Sequence, residues 1–388
     1  MGAYKKPMPH SRDLHILTHE FYPSHGGAGV VADQLARAAK CLNKRVRVWV
    51  PRRHTAAIKA QTAPPFAVIP IPVKGSMDWS CRVGHALQVS RYMSRYGFGD
   101  GALIHIAEPG AVLAWMYLQL RKNFPQKPRK IITLHGSEIL KFTESRHRRM
   151  LFRRLLGQCE KIHLLSEANS KLLQERFPGI DPTKIKMIPG APRNLKAAPQ
   201  HLNIPNANGR TIILSVGRIH PRKGHRHLLQ TAEQLPKHLH DSIAIWYAGR
   251  VVDKSYQKQL ELLASRSKIP IHFLGAVSDG DLHRLYSAAD IFAMTSRQEG
   301  SSIEGFGLVY LEASQAGLPV LANETGGVAE AVLHNHTGLL SQPDDSATLL
   351  KNLRQLIEQA ALRNRLGENG RAFAAQHSWL EAARSLYC

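Results

Sequence analysis

Short apolar runs alternate with longer helical patterns along most of this 388-residue chain. The first run, residues 14–18, precedes a Gly/Pro loop, a helical pattern from about Ala28 to Cys41, and a second run at 46–50. This order is typical of a βαβ unit. Further strands are predicted at 66–69, 103–106, 130–134, 161–165 and 186–188, and helices at 112–120 and 149–156. The alternation predicts a parallel sheet covered by helices, which is an α/β fold.

A second series of the same kind begins at Thr211. Strands are predicted there at 211–216, 243–248, 271–274, 291–293 and 320–322. Residues 191–209 are rich in Pro, Asn and Ala and show no clear periodicity, so they are predicted to link two domains. A chain of this length, with 43% apolar residues, is large enough for two cores. We therefore expect two doubly wound domains.

Residues 304–312 read EGFGLVYLE and are the most informative stretch for function. Gly305 and Gly307 let the backbone approach a ligand closely, and a helix is predicted to begin just after them and to end at Gly317. A helix start favours phosphate, while Glu304 and Glu312 can accept hydrogen bonds from hydroxyls. If helical throughout, the eight-residue separation is about 12 Å, longer than the roughly 5–9.5 Å of a glycosidase carboxylate pair. The alternative is a capped core helix with two solvated Glu.

Arg218 and Lys223 lie in a loop between a predicted strand and a predicted helix. Open α/β sheets bind their ligands at such loops. Two fixed cations there could neutralise a departing nucleoside diphosphate without a metal, and we expect neither a metal nor a cofactor. The alternative is ordinary surface basicity. His-Glu-x-x-His and comparable metal spacings are absent from the sequence.

Four motifs, taken in order, resemble one family. They are residues 19–27 (HEFYPSHGG), 133–138 (TLHGSE), 215–224 (SVGRIHPRKG) and 296–332 (SRQEGSSIEGFGLVYLEASQAGLPVLANETGGVAEAV). Together they resemble the GT4-type family of retaining glycosyltransferases. Residues 296–332 resemble the donor-binding segment of the family, and within it residues 297–312 are most similar to bacterial phosphatidylinositol mannosyltransferase-like enzymes. The resemblance spans about residues 16–379.

The resemblance implies GT-B architecture, with two Rossmann-like domains facing a cleft. Residues 1–195 would bind the acceptor, residues 196–370 would bind a UDP- or GDP-sugar, and residues 371–388 would return to the first domain. The implied reaction is metal-independent transfer of a hexosyl group to a hydroxyl acceptor with retention of configuration. A leaving phosphate that takes the acceptor proton is the mechanism that the resemblance suggests.

The resemblance also implies residue roles. His135, Arg218, Lys223 and Glu304 would form the catalytic set, with His135 against the donor sugar and Glu304 on its hydroxyls. Glu312 would hold the ribose, and the remaining donor contacts would come from Gly26, Gly27, Gly305, Phe306, Gly307 and Leu308. Glu138 would help to position the acceptor. Two stretches depart from the family pattern: Ala28 and Gly29 follow the first glycine pair, and residues 188–193 read IPGAPR where the family often reads Asn-Gly-Val-Asp.

Net charge is divided unevenly. Residues 1–195 carry 32 Lys and Arg against 12 Asp and Glu, and so hold +20 of the total of +23. This asymmetry predicts an anionic acceptor or a membrane surface as the partner of the first half. Residues 141–161 predict a basic amphipathic helix, with Arg148 and Arg149 on the acceptor side. The alternative is a solvated helix whose apolar face joins the domain core.

Two other function classes stay open. The net charge also fits a nucleic-acid-binding protein, but the interleaved aromatics and binding modules of that class do not stand out, so no nucleic acid is expected. A catalytically silent membrane scaffold with the same fold is the third reading. The start of the sequence lacks the apolar run of a signal peptide, and no uncharged stretch of 18 residues occurs. With four scattered cysteines, these features predict a cytoplasmic protein, peripheral on the inner face of the membrane if it binds one.

Overall fold

The computed structural model describes residues 13–21, 26–52, 54–55, 64–72, 91, 95, 101–120, 129–196 and 202–388. The chain divides into two compact units. The first unit comprises Met1–Leu165, Ser170–Ile188 and Trp379–Cys388, and the second comprises Ser166–Asn169 and Pro189–Ser378.

The first unit is built on a parallel sheet whose described strands number seven, in the order β3-β2-β1-β4-β5-β6-β7. Its elements are β1 (Asp13–Leu17), α1 (Gly27–Cys41), β2 (Arg45–Pro51), β3 (Ala67–Ile71), β4 (Leu103–Ile106), α2 (Pro109–Leu118), β5 (Arg129–Leu134), α3 (Ser137–Lys141), α4 (Arg146–Gln158), β6 (Lys161–Leu164), α5 (Glu167–Arg176) and β7 (Ile185–Met187). The first three residues of α5 belong to the second unit. The order reverses between β1 and β4, as in a doubly wound sheet.

The second unit repeats this plan with six described strands, ordered β10-β9-β8-β11-β12-β13. Its elements are β8 (Thr211–Val216), α6 (His225–Ala232), α7 (Lys237–His240), β9 (Ile243–Ala248), α8 (Lys254–Ala264), β10 (Ile271–Gly275), α9 (Asp279–Ala288), β11 (Ile291–Met294), α10 (Leu308–Gln315), β12 (Val320–Asn323), α11 (Val328–Ala331), β13 (Gly338–Ser341), α12 (Ser346–Glu358) and α13 (Ala360–Ala374). The reversal lies between β8 and β11. The loops that follow these two strands therefore meet at one edge of the sheet.

Each unit has its own apolar core. In the first unit Ile104, Ile132 and Ile162 come from neighbouring strands and are fully buried. In the second unit Ile213 and Ile245 lie on the neighbouring strands β8 and β9 and are also fully buried. Strands of a parallel sheet are covered on both faces, which is why they read as continuous apolar runs in the sequence. The predicted α/β fold with two Rossmann-like units is confirmed.

The last helix, α14 (Trp379–Tyr387), belongs to the first unit and packs against α1. Lys161 Nζ donates to the carbonyls of Ser385 and Leu386 at 2.7 and 2.8 Å, at the carboxyl end of this helix. A cation there also interacts favourably with the helix dipole. Lys161 therefore ties the end of the chain to β6.

A buried chain of polar side chains crosses the first sheet. Tyr387 Oη lies 2.6 Å from His105 Nδ1, His105 Nε2 lies 2.6 Å from Thr133 Oγ1, and Thr133 Oγ1 lies 2.8 Å from His163 Nδ1. His163 Nε2 lies 2.9 Å from the carbonyl of Ile188, which can only accept. With both rings neutral, each group donates to the next from Tyr387 to Ile188. Burial lowers the pKa of His163 to about 4 and the pKa of His105 well below its usual value.

No helix among the described residues is both long enough and apolar enough to span a membrane.

Candidate functional site

The loop after β8 carries the cations predicted from the sequence. It forms a 3₁₀ turn at Pro221–Lys223, with His220 Nδ1 accepting from the amide of Arg222. Gly224 follows with φ +74°, and a Cβ at that position would lie 1.9 Å from the carbonyl oxygen of Thr295. Only glycine fits so close to the neighbouring loop in this conformation. The loop after β8 is thereby fixed against the loop after β11.

Lys223 and Arg222 both contact Glu304. Lys223 Nζ lies 2.7 Å and Arg222 Nη1 2.8 Å from Glu304 Oε2, and Ser296 Oγ donates to the same oxygen at 3.3 Å. All three charged residues are largely buried. A carboxylate with two cations is well stabilised in such surroundings, and two cations against one carboxylate leave the group net positive.

The charges of this cluster shift one another's pKa values. Burial lowers the pKa of Lys223 to about 8, although Glu304 opposes the shift, and the nearby charges of Arg222 and Arg218 lower it further. Burial would raise the pKa of Glu304, but Lys223 and Arg222 outweigh it and hold that pKa at about 2. Glu304 is therefore ionised at neutral pH. Arg218 lies half-buried in the same loop.

Residues 306–308 present amide groups at the start of α10. The carbonyl of Glu304 accepts from the amide of Gly327 at 3.1 Å, and the carbonyl of Gly305 accepts from Ser166 Oγ at 2.8 Å. Within the described part of the chain, the amides of Phe306, Gly307 and Leu308 have no protein partner. The carbonyl side of the loop is thus anchored, while its N–H side and the helix start are left for a ligand.

Position 307 requires a glycine. Its φ is +89°, and a Cβ there would lie 2.4 Å from the ring of Tyr310. The left-handed backbone lets the chain turn sharply into α10. The predicted helix with a glycine-broken start is confirmed at Leu308–Gln315.

Glu312 lies one turn into α10 and is held by Arg193. Arg193 Nε and Nη2 lie 2.6 and 3.1 Å from its two carboxylate oxygens, and Tyr286 Oη donates to Oε2 at 3.2 Å. Arg193 Nη1 also donates to Asp279 Oδ1 at 2.8 Å. Burial would lower the pKa of Arg193, but Glu312 and Asp279 raise it well above its usual range. One cation against two carboxylates leaves this cluster net negative.

The interpretation of the two Glu as solvated residues on a capped helix is wrong. Glu304 is 7% exposed and Glu312 is 3% exposed, and both are paired with cations. Sequence reasoning missed Arg222, Arg193, Asp279 and Tyr286. Arg222 had a signal, since it stands beside Lys223 in the motif at 215–224. The others had none, because their partners are distant in the sequence.

His135 and Glu138 lie in the first unit, just after β5. His135 Nε2 donates to the carbonyl of Ala107 at 3.0 Å, and burial lowers the pKa of its ring. Glu138 accepts from the amide of His135, while its Oε2 is buried with no hydrogen-bond partner in the described structure. Burial raises the pKa of Glu138 to about 7. A carboxyl group poised near neutrality can exchange a proton.

The first glycine motif is described only in part. Gly26 is the N-cap of α1 and Gly27 is its first residue, while residues 22–25 lie outside the described residues. Gly26 and Gly27 therefore form the start of α1, and their contact with the donor stays a prediction.

The predicted basic helix is α4, and its apolar face is not free. Leu151, Phe152, Leu155 and Leu156 are buried in the core of the first unit, as the alternative interpretation expected. Arg149 is exposed and donates to the carbonyl of Arg176 at 3.1 Å, and Arg148 is half-buried. The exposed face of α4 carries Arg146, Arg149, Met150, Arg153 and Arg154. Only this face of α4 is therefore left to contact a partner.

Two family models match the chain. "Glycosyltransferase Family 4" matches residues 25–191, and "Glycosyl transferases group 1" matches residues 199–373. The first match lies in the N-terminal half of the chain and the second in the C-terminal half, and together they cover most of the sequence.

The chain belongs to the GT4-type glycosyltransferases.

The names of two curated relatives refer to inositol compounds. A GDP-mannose-dependent monoacylated alpha-(1-6)-phosphatidylinositol monomannoside mannosyltransferase of Corynebacterium glutamicum is 32% identical over 50% of this chain and 50% of its own. A D-inositol 3-phosphate glycosyltransferase of Corynebacterium jeikeium is 33% identical over 54% of this chain and 49% of its own. The chain therefore spans about half the length of the curated relatives it matches.

Solved structures similar to this glycosyltransferase share its fold. Sucrose-phosphate synthase from Thermosynechococcus elongatus has a TM-score of 0.76 at 22% identity, covering 96% of this chain and 97% of its own. Anabaena HepE in complex with UDP and glucose has a TM-score of 0.74 at 20% identity, covering 96% and 98%. These neighbours are GT-B glycosyltransferases, and the predicted GT-B fold is confirmed.

Among the described residues, no group of three or more His, Cys, Asp or Glu is placed to hold a metal ion.

Proposed function

We propose that this protein transfers a hexosyl group from a nucleoside-diphosphate sugar to a hydroxyl acceptor. One observation carries the proposal: two clusters of opposite net charge, buried except for Asp279, lie around the start of α10. Arg222, Lys223 and Glu304 form the positive cluster. Arg193, Asp279 and Glu312 form the negative one. A nucleotide sugar matches this pattern, since its diphosphate is anionic and its ribose carries hydroxyls that donate to carboxylates.

The positive cluster would stabilise the leaving group. As the bond between the anomeric carbon and the phosphate oxygen breaks, negative charge grows on the diphosphate, and cations that face it stabilise the transition state more than the ground state. Arg218 and Lys223 are the proposed cations, and Arg222 joins them because it shares Glu304 with Lys223. The amides of residues 306–308 would add uncharged donors.

Glu304 would hold a hydroxyl of the donor sugar. Its three contacts all converge on Oε2, which leaves Oε1 without a protein partner among the described residues. A carboxylate that stays ionised accepts a hydroxyl proton strongly. Glu312, one turn into α10, would contact the ribose.

We propose transfer with retention. The acceptor oxygen would bond to the anomeric carbon on the face from which the phosphate leaves, and the acceptor proton would pass to a phosphate oxygen. Glu304 is unsuited to act as a covalent nucleophile, because its pKa of about 2 and its two cations make it a weak one. The family resemblance also supports transfer with retention. His135 is the proposed catalytic residue of the first unit.

The acceptor is proposed to be anionic or membrane-associated, and the protein to be cytoplasmic and peripheral on the membrane. The +20 charge of residues 1–195 and the exposed arginines of α4 support this, as do the lipid-linked acceptors named for the curated relatives. Glu138 is proposed to position the acceptor together with Arg148 and Arg149. Nucleic acid would compete for the same basic surface and is tested below.

Thermal unfolding with UDP, GDP and ADP, each alone and as its glucose or mannose conjugate, tests the donor half. A nucleotide at 100 times its dissociation constant should stabilise the protein by about 2.7 kcal/mol. The stabilising sugar nucleotide is then supplied with lipid and soluble acceptors, and glycosylated product is detected by mass spectrometry. Failure of every nucleotide to stabilise the protein would refute the proposal.

A further inference from the structure

The proposed reaction gives Arg193 no role beyond its charge in the negative cluster. It falls in the stretch at 188–193 that departs from the family pattern, and it is only 9% exposed. Its three guanidinium nitrogens all donate, two to Glu312 and one to Asp279. One side chain thus joins the segment after β7 to the starts of α9 and α10.

These contacts leave Glu312 with little capacity to accept more hydrogen bonds. A carboxylate has two oxygens and about four lone-pair sites. Arg193 fills one site on each oxygen, and Tyr286 fills the second site on Oε2. Among contacts within the described structure, one site remains, on Oε1. A free carboxylate could accept both hydroxyls of a vicinal diol, one on each oxygen, but Glu312 in this arrangement can accept only one.

We infer that Arg193 and Tyr286 are positioning residues that make Glu312 read a single ribose hydroxyl of the donor instead of the 2′,3′-diol. The inference rests on the proposed function of this site. The ribose would dock with one hydroxyl on Oε1, and its other hydroxyl would take no part in recognition by Glu312. Removing one hydroxyl from the nucleotide should then weaken binding, whereas removing the other should not.

The binding of three nucleotides to the full chain measures this. Calorimetry would compare the diphosphate of the preferred base with its 2′-deoxy and 3′-deoxy analogues. A lost hydrogen bond to a charged group weakens binding by about tenfold or more. We expect one analogue to bind about tenfold or more weakly and the other to bind as tightly as the parent.

Tyr286→Phe is the sharper of two variants. It removes the donor on Oε2 with almost no change of shape and leaves the ion pair intact, so a second lone-pair site opens. The analogue that wild type tolerates should then be bound less tightly than the parent, and the ratio of the two deoxy analogues should approach one. Arg193→Lys should have the same effect, because an ammonium lacks the two-point geometry of a guanidinium.

Arg284→Lys is the matched control. Arg284 forms an ion pair with Asp281 in the same unit but has no contact with Glu312. This variant should keep the wild-type ratio of the two analogues. Thermal unfolding of all three variants shows which are folded. If Arg193→Lys does not fold, Tyr286→Phe still tests the inference.

Two outcomes would overturn the inference while leaving the proposed function standing. In the first, the parent diphosphate binds and both deoxy analogues bind equally tightly, so Glu312 does not contact the ribose. In the second, both analogues are weakened alike in wild type, so the diol is read as a pair. If the parent diphosphate does not bind at all, the proposed function itself fails.

Discussion

Lys223 Nζ lies 2.7 Å from Glu304 Oε2, so the proposed phosphate contact and the proposed sugar contact form one ion pair. Arg222 binds the same oxygen at 2.8 Å. The pair spans the two loops at the reversal point of the second sheet, between residues 81 positions apart. A change to either residue therefore shifts the pKa of the other, which the prediction on pH dependence uses.

Lys223→Ala should lower the rate of transfer by about 100-fold or more, since one preorganised donor to a leaving group contributes about that much. Glu304 keeps Arg222 as a partner, so the fold should survive. Transfer kinetics and circular dichroism measure the two effects. Lys237→Ala removes an exposed lysine of the same unit and should leave the rate unchanged. Wild-type turnover by Lys223→Ala would refute the assignment.

Affinity for the nucleoside diphosphate should fall as pH rises through about 8. Burial holds the pKa of Lys223 near that value, and only the protonated ammonium attracts phosphate. Lys223→Arg should abolish this decline, because a guanidinium stays charged. Glu304→Gln should move it to lower pH, since Glu304 raises the pKa of Lys223. Calorimetric titrations from pH 6 to pH 9.5 measure it. An affinity that is flat across this range in wild type would exclude Lys223 from the phosphate site.

Gly307→Ala should weaken nucleotide binding by about tenfold or more. The left-handed backbone costs a side chain about 1–2 kcal/mol, and the new Cβ would meet the Tyr310 ring, so the amides of residues 306–308 would move. Gly157→Ala is the control, because a Cβ at this exposed position within α4 meets no other atom within 4 Å. It should stabilise the protein by about 0.5–1 kcal/mol and leave binding unchanged. Equal nucleotide affinity in both variants would contradict the role of the loop.

Stability of the first unit should fall as pH drops from about 6.5 towards 4. His163 is neutral in the fold, with a pKa of about 4, whereas the unfolded imidazole has an ordinary pKa near 6.5. Between these values the unfolded state binds more protons, so acid favours unfolding, by roughly 3 kcal/mol for this one group. His163→Gln should reduce the loss of melting temperature between pH 7 and pH 5. His238→Gln, an exposed substitution, should not. An unchanged pH dependence in His163→Gln would disprove the proposed contribution.

The architecture could be predicted from the sequence because parallel strands bury both faces and are therefore recognisable in the sequence as apolar runs. Every strand predicted in the second unit is found within one residue, from β8 to β12. The strand β13 was missed, since Gly338–Ser341 holds only two large apolar residues, Leu339 and Leu340, between a glycine and a serine. The fold therefore follows largely from local pattern.

The site could be predicted only where its chemistry is local. Lys223, Glu304 and the glycines between Glu304 and Glu312 stand in recognisable motifs. The ion pair of Arg193 with Glu312 joins residues 119 positions apart, and no spacing rule connects them. The apolar residues of α4 show the same limit, because the helical period is the same whether that face meets a core or a membrane. Packing decided both cases.

Anionic vesicles should bind the protein through the exposed face of α4. On this face the side chain of Met150 is 60% exposed and is surrounded by exposed arginines. Each basic residue near an anionic surface contributes about 1 kcal/mol to membrane binding. Binding to phosphatidylglycerol vesicles should exceed binding to phosphatidylcholine vesicles, and the double change Arg146→Glu with Arg154→Glu should weaken it by about tenfold or more.

The matched control for this surface is Lys254→Glu with Lys258→Glu, which reverses two exposed charges one turn apart on α8 in the second unit. It changes net charge by the same amount as the α4 pair, so it should leave vesicle binding close to wild type if the location of the charge decides binding. Equal loss in both double variants would mean that binding follows net charge alone. Tighter, salt-sensitive binding to single-stranded nucleic acid than to vesicles would favour nucleic acid as the partner, and co-sedimentation at physiological ionic strength separates these outcomes.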